Sequence, residues 1–222
     1  MDKKFTYYEN ILSEGLINEL HDYYYGNILD LSREKYGEGF VEKFLNSEAP
    51  KVLPSSVNIT QDHQLRILDE LYHNENLPFF GNKKILRGSI GLPMRINNFL
   101  PGGGFPPHTD NAWGSMTLFL NKEWKPEWGG SFVWYEDDDT EQERGHEVQP
   151  KYNCGILDCY PETVEGCLHR VMEVTRERIT IQAFFGLGGH YVNIGKIPDK
   201  YKYLIPKSLG SIQNTLDKES KR

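Results

Sequence analysis

His108 and Asp110 stand two positions apart in the run Phe105-Pro106-Pro107-His108-Thr109-Asp110-Asn111, and on an extended segment residues i and i+2 face the same way. An imidazole and a carboxylate so placed make two ligands for one metal ion. A distant second histidine, His169, can close the set on one side of that ion. Two histidines and one carboxylate on a single face leave three coordination positions open, an arrangement suited to non-haem Fe(II). The pair alone is a weak signal, because two solvated polar residues on a surface strand have the same spacing.

Nine positions after His169 comes Arg178, which starts the run Arg178-Ile179-Thr180-Ile181-Gln182-Ala183-Phe184-Phe185. Strand alternation puts Arg178, Thr180, Gln182 and Phe184 on one face and Ile179, Ile181, Ala183 and Phe185 on the other. A guanidinium and a hydroxyl therefore look the same way. Arginine grips a carboxylate through two parallel hydrogen bonds, and a threonine two positions on adds a third donor. The polar run Thr175 to Glu177 reads as the turn of a hairpin. Arg176 has the parity of Arg178 but falls in that turn, so Arg178 is the better anion ligand.

With their neighbours these residues resemble the 2-oxoglutarate- and Fe(II)-dependent oxygenases, within them the prolyl-4-hydroxylase-like branch. The matching stretches run in order from about Leu92 to Gly186: Asn98-Phe99-Leu100-Pro101-Gly102-Gly103, His108-Thr109-Asp110-Asn111, Leu118-Phe119-Leu120-Asn121-Lys122-Glu123-Trp124, Trp128-Gly129-Gly130, Val148-Gln149-Pro150, His169-Arg170-Val171 and Arg178-Ile179-Thr180. The resemblance implies that His108, Asp110 and His169 hold Fe(II), and that Arg178 and Thr180 bind the distal carboxylate of 2-oxoglutarate. Phe99 and Phe119 stand in the co-substrate pocket where many relatives carry tyrosines, so two hydroxyl contacts worth about 1 kcal/mol each are absent.

The cofactors implied are Fe(II), 2-oxoglutarate and O2, with ascorbate as an accessory. The activity implied is hydroxylation of an unactivated carbon, a prolyl residue of a peptide or protein, with release of succinate and CO2. A hydroxylase of a free amino acid or other small metabolite, and a non-enzymatic binding module on the same barrel, stand beside it. Nucleic-acid demethylases of the superfamily carry a second arginine six positions after the first, where this chain has Phe184. Halogenating relatives lack the carboxylate ligand that Asp110 provides. A zinc hydrolase would leave Arg178 unexplained.

Composition and patterning supply the frame. The chain has 222 residues, 13% aromatic and 26% charged, with a net charge of −7. That acidity argues against general affinity for nucleic acid. No run approaches the roughly 18 apolar residues of a membrane span, and the start Met1 to Tyr8 lacks an apolar signal core, so a cytoplasmic protein without a membrane partner is the expectation. Cys154, Cys159 and Cys167 form no C-x-x-C pair and read as reduced thiols. From His190 onward seven basic residues face three acidic ones.

The first ninety residues read mainly as helices. Ser13 can cap one with Leu16, Leu20 and Tyr24 inward, Asp62 another with Leu65, Leu68, Leu71 and Tyr72 inward, and Ser32 to Asn46 has helical spacing weakened by Gly37 and Gly39. Strand-length runs follow at Met94 to Phe99, Ser115 to Leu120, Ser131 to Tyr135, Asn153 to Leu157, His169 to Val174 and Arg178 to Phe185. Arg95 and Asn97 share the parity of Phe99 and can face the site. Asn111 flanks it, and Trp113, Trp128 and Trp134 are cleft or core aromatics. Asp137 to Glu147 reads as a charged loop, with His146 a solvated bystander. His21, His63 and His73 fall in helices and read as exposed or hydrogen-bonded.

Helices followed by evenly spaced strands indicate a sheet sandwich or barrel with helices on one side. The resemblance sharpens this to a mainly β double-stranded β-helix, or jelly roll, with an N-terminal helical region. The expected organisation is one oxygenase domain over 1–222, with helical support in 1–85, the jelly-roll catalytic core in 86–189 and a basic extension in 190–222.

Overall fold

A computed structural model of the chain describes residues 5–46, 52–77, 94–110, 114–135, 145–159, 168–185 and 197–205. Among these residues, ten strands form two antiparallel sheets packed as the sandwich of a jelly roll, with few helices. In chain order they are β1 (Phe5–Glu9), β2 (Val52–Asn58), β3 (Met94–Phe99), β4 (Phe105–His108), β5 (Gly114–Phe119), β6 (Phe132–Tyr135), β7 (Gly145–Val148), β8 (Cys154–Cys159), β9 (His169–Val171) and β10 (Arg178–Phe185). The large sheet has the order β1-β8-β5-β10-β3-β2 and the small one β4-β9-β6-β7. Among the described residues no helix is long and apolar enough to cross a membrane.

Alternation along the central strands sorts the interior into two layers. Met94 and Ile96, Met116 and Leu118, and Ile179, Ile181, Ala183 and Phe185 face outward, into one apolar core with Leu16, Leu20, Leu65, Leu68 and Leu71 from the helices. The opposite faces of the same strands look toward the small sheet. There Phe5, Phe119, Phe132, Cys154 and Ile156 form a second cluster, which fills the half of the sandwich beneath β1, β8 and β5. The half beneath β10 and β3 is left as a cavity.

Among the described residues, α1 (Glu14–Tyr24) and α4 (Gln61–His73) pack on the outer face, α2 (Ile28–Tyr36) lies at the β2 edge, and α3 (Glu38–Leu45) packs against α2. The hydroxyl of Ser13 accepts from the Leu16 amide, as the capping pattern predicts. For α4 the capping prediction is off by two residues. The Thr60 hydroxyl accepts from the His63 amide, which leaves Asp62 in the first turn, where its charge complements the helix dipole. Between them, Gly37 at φ +85° divides the 32–46 region into two helices.

Three further expectations are corrected. The N-terminal region contributes two strands, β1 and β2, to opposite edges of the large sheet. His146 lies on β7, with its ring stacked on Trp134 at 5.1 Å, so the last residues of the expected Asp137 to Glu147 loop belong to a strand. Thr175 to Glu177 is no hairpin turn, since β9 pairs with β4 and β6 while β10 pairs with β3 and β5. The segment carries the chain from one sheet to the other.

Candidate active site

That crossing places His169 and Arg178 on opposite walls of one cavity. Its volume is about 120 Å³, roughly ten times what a single water needs. The small sheet contributes His108 and His169, which lie directly opposite each other in the β4–β9 pairing. Asp110 follows two residues beyond the end of β4. The ligand atoms of His108, Asp110 and His169 all lie within 4.8 Å of one another. His108 Nε2 is 3.9 Å from Asp110 Oδ1, and His169 Nε2 is 3.6 Å from Asp110 Oδ2.

Neighbouring groups fix both rings. His108 Nδ1 lies 2.8 Å from the Pro106 carbonyl, so it carries the proton and Nε2 presents its lone pair to the Asp110 side. The His169 ring stacks on Phe132 at 5.1 Å and meets the edge of Phe5 at 5.6 Å. An aromatic from the N-terminal strand thus braces a candidate metal ligand. Two imidazoles and a carboxylate converging on one point form a donor set that fits a divalent metal ion.

Across the cavity Arg178 is completely buried. Its guanidinium lies between the Phe99 and Phe119 rings, with centroids at 4.9 and 5.1 Å. Phe99 and Phe119 therefore flank the cation, and Phe119 also packs in the second apolar cluster. Neither Nε nor Nη2 of Arg178 has a hydrogen-bond partner among the described residues, and neither has the Thr180 hydroxyl. Burial pushes the guanidinium down to about 9, which still leaves it charged at neutral pH. A buried cation without an anion is costly unless a ligand supplies the charge. Arg176 does not compete, since its guanidinium sits over the Trp128 ring.

Two devices that the sequence reading gave no role hold Arg178 in place. The Asn121 side chain donates to the Glu177 carbonyl at 2.9 Å and accepts from the Ile179 amide at 2.8 Å, clamping the backbone on both sides of Arg178. A β-carbon on Gly130 would come within 3.0 Å of Arg178 Cδ and 2.7 Å of Val174 Cγ1, at a φ of +73°. Glycine there lets the arginine stem lie flat against the turn. The motif stretches around Asn121 and Gly130 thus serve the arginine from a distance.

Arg95, Asn97, Thr117, Gln182 and Phe184 complete the cavity wall with Phe99, Phe105, Phe132 and Val171. The parity expected for Arg95 and Asn97 is observed. Trp128 packs on Trp124, and Trp134 on Phe5, both away from the cavity lining. His63 is buried and hydrogen-bonded in the helical layer, as expected of a structural histidine. Asn111, Trp113, Asp137 to Asp139, Cys167 and His190 lie outside the described residues.

Comparison with known proteins agrees with this geometry. Residues 94–186 match the family model of the 2OG-Fe(II) oxygenase superfamily. No curated protein sequence matches the chain. Among solved structures, a prolyl-4-hydroxylase from Pseudomonas putida superposes with a TM-score of 0.54 at 18% identity, over 82% of this chain and 91% of that one. A viral collagen prolyl hydroxylase from Paramecium Bursaria Chlorella virus-1 gives 0.50 at 15% identity, over 83% and 96%. A prolyl 4-hydroxylase from Phytophthora capsici gives 0.52 at 17% identity, over 86% and 61%. At these identities the likeness is one of fold.

Proposed function

Because the core of this chain, residues 94–186, is that of the 2OG-Fe(II) oxygenase superfamily, we propose that it hydroxylates an unactivated carbon of a prolyl residue in a peptide or protein. In this reaction one oxygen atom of O2 goes to the substrate carbon and the other to succinate, and CO2 is released from 2-oxoglutarate. His108, Asp110 and His169 would hold Fe(II), leaving one side of the ion open to the cavity. Bound there, iron supplies the activation of dioxygen that no side chain can provide.

The chain's own residues bind, orient and shield. Arg178 takes the distal carboxylate of 2-oxoglutarate in a charge-assisted pair, and Thr180 adds a donor beside it. Phe99 and Phe119 exclude water from that pair, which strengthens it in a medium of low dielectric constant. His108 keeps its Nδ1 proton on the Pro106 carbonyl, which orients the ring and leaves Nε2 as the ligand atom. No general base is required.

One observation carries this reading: Nε and Nη2 of the fully buried Arg178 and the buried Thr180 hydroxyl, without hydrogen-bond partners among the described residues, line the cavity that holds the triad. The similarity to prolyl hydroxylases supports the acceptor residue. The test is an anaerobic titration of the protein with Fe(II) and 2-oxoglutarate, watching for the visible charge-transfer band of the chelate. Prolyl peptides are then added with O2, and succinate release and a one-oxygen gain in mass are measured together. The band with a gain on peptides is expected. Its absence would remove the oxygenase reading, and a gain on free amino acids but on no peptide would remove the peptidyl-prolyl assignment alone.

A further inference from the structure

The cavity has a second polar end that the co-substrate reading does not use. In the register of the large sheet Arg95 on β3 lies opposite Gln182 on β10, and Gln182 lies opposite Thr117 on β5. These three side chains form one transverse row on the cavity wall. Along β10 the row lies four residues from Arg178, roughly 13 Å at the rise of a strand. The row between them carries Asn97, Thr180 and Phe119.

Hydrogen bonding within the far row leaves donors over. The Thr117 hydroxyl donates to Gln182 Oε1 at 2.7 Å, which turns the Gln182 amide NH2 away from that bond. Arg95 forms no ion pair with any described residue, although this protein pairs Arg33 and Arg66 with carboxylates on its surface. Beside Arg95 on the same face, Asn97 Oδ1 is buried and lacks a donor. The far end thus offers a cation and an amide NH2 next to one unused acceptor.

We propose that this end is the primary-substrate subsite, and that it takes a carboxylate on Arg95 and Gln182 with an adjacent N–H on Asn97. That chemistry is shared by a free amino acid and by the C-terminal residue of a peptide. The proposal rests on the oxygenase reading of the cavity and replaces its internal prolyl acceptor by one that carries its own free carboxylate. An internal prolyl residue lacks that group. Two arginines about 13 Å apart would then divide two acids between them, 2-oxoglutarate on Arg178 and the substrate on Arg95.

The experiment is calorimetry under anaerobic conditions on the full chain loaded with Fe(II) and 2-oxoglutarate. The probes are free L-proline and the other L-amino acids, and prolyl tripeptides with either a free or an amidated C-terminus. Carboxylate-bearing probes should bind and amidated ones should be at least tenfold weaker. In Arg95→Gln, binding of the best carboxylate probe should weaken by about ten- to a hundredfold, while 2-oxoglutarate binds as in the parent protein. Free L-amino acids binding better than free-ended tripeptides would identify the amino acid as the source of the carboxylate, and the reverse order would identify the peptide terminus.

Equal binding of free and amidated peptides, binding of no carboxylate probe, or an Arg95→Gln effect within twofold would overturn the subsite and leave the oxygenase reading intact. Weakening of 2-oxoglutarate itself by Arg95→Gln would also overturn it, by assigning Arg95 to the co-substrate. Failure of the parent protein to bind 2-oxoglutarate would overturn both readings.

Discussion

Two groups of polar side chains, one running from the interior of the helical layer to the surface and one lining the cavity, are built on opposite principles. In the helical layer Thr60 N–H donates to the Tyr24 hydroxyl at 2.8 Å, that hydroxyl lies 3.0 Å from His63 Nδ1, and His63 Nε2 is 3.2 Å from Glu19. Arg66 closes the chain on Glu19 at 2.7 Å. Every group has a partner within the fold. In the cavity Arg178 Nε and Nη2, Thr180 Oγ1 and Asn97 Oδ1 have none among the described residues. A closed network adds stability, because each buried group recovers in the fold the hydrogen bonds it gave up in water. An open set costs stability and keeps its bonding capacity for a ligand. Asn98 Oδ1, Tyr135 Oη and Gln149 Oε1 also lack partners among the described residues without lining the cavity, so it is the convergence of unmade bonds on one cavity that marks the binding groups.

The largest effects should come from the metal-facing residues. His108→Ala, Asp110→Ala and His169→Ala are each expected to lose stoichiometric iron, since a site with three protein ligands cannot spare one. Metal analysis after gel filtration reads this directly. Asp110→Ala should keep the melting temperature of the metal-free parent, because it removes one of three groups held close without an ion. Full iron content in any one variant would take that residue out of the site.

Arg178 provides the sharper contrast. Arg178→Met should weaken 2-oxoglutarate about ten- to a hundredfold, as expected for loss of a buried charge-assisted pair. Without co-substrate the same variant should melt no lower than the parent, because an apolar side chain of similar length removes an unpaired buried charge. A fall of several degrees in the ligand-free protein would mean that the guanidinium is satisfied within the fold. The comparison between the two networks would then break down.

Much of this was legible in the sequence, for identifiable reasons. The alternation in Arg178 to Phe185 reads unambiguously because one face is wholly apolar and packs on helices, so the polar face can only look into the sandwich. His108 and Asp110 were legible as a pair because their spacing is local, and His169, far along the chain, joined them through the order of the family's motifs. The route from His169 to Arg178 was not. Thr175 to Glu177 has the same polar composition whether the chain turns back on itself or crosses to the other sheet, and strand pairing is decided by distant partners.

The two N-terminal strands were hidden differently. β2 carries Pro54, tolerated because the strand is at the sheet edge, and β1 is five residues long in a stretch that otherwise reads as helical. The clamp by Asn121 depends on a contact between residues far apart in sequence, so its spacing carries no signal.

A smaller effect is expected in the closed network. Tyr24→Phe removes the hydroxyl that serves both the Thr60 amide and His63, and should cost about 1–3 kcal/mol. At roughly 2–4 °C per kcal/mol for a chain of this size, chemical and thermal denaturation can both resolve it. Affinity for 2-oxoglutarate should not change. A loss of co-substrate affinity without a loss of stability would reverse the roles assigned to the two networks.

The smallest effect concerns pH. The hydrogen bond from Arg66 holds the Glu19 carboxyl down at about 2, against a burial penalty and with help from His63. A carboxyl depressed in the folded state contributes stability above its unfolded value of about 4.3, and that contribution is lost as pH falls from there toward 2. The Glu19 side chain is 46% exposed, so solvent and salt screen much of the interaction. Melting curves of the parent between pH 6 and pH 2.5 should therefore decline slightly more steeply than those of Glu19→Gln, and the difference should shrink in 1 M salt. Parallel curves at low salt would show that Glu19 adds nothing beyond a neutral hydrogen bond, and that the closed network rests on Tyr24 and His63.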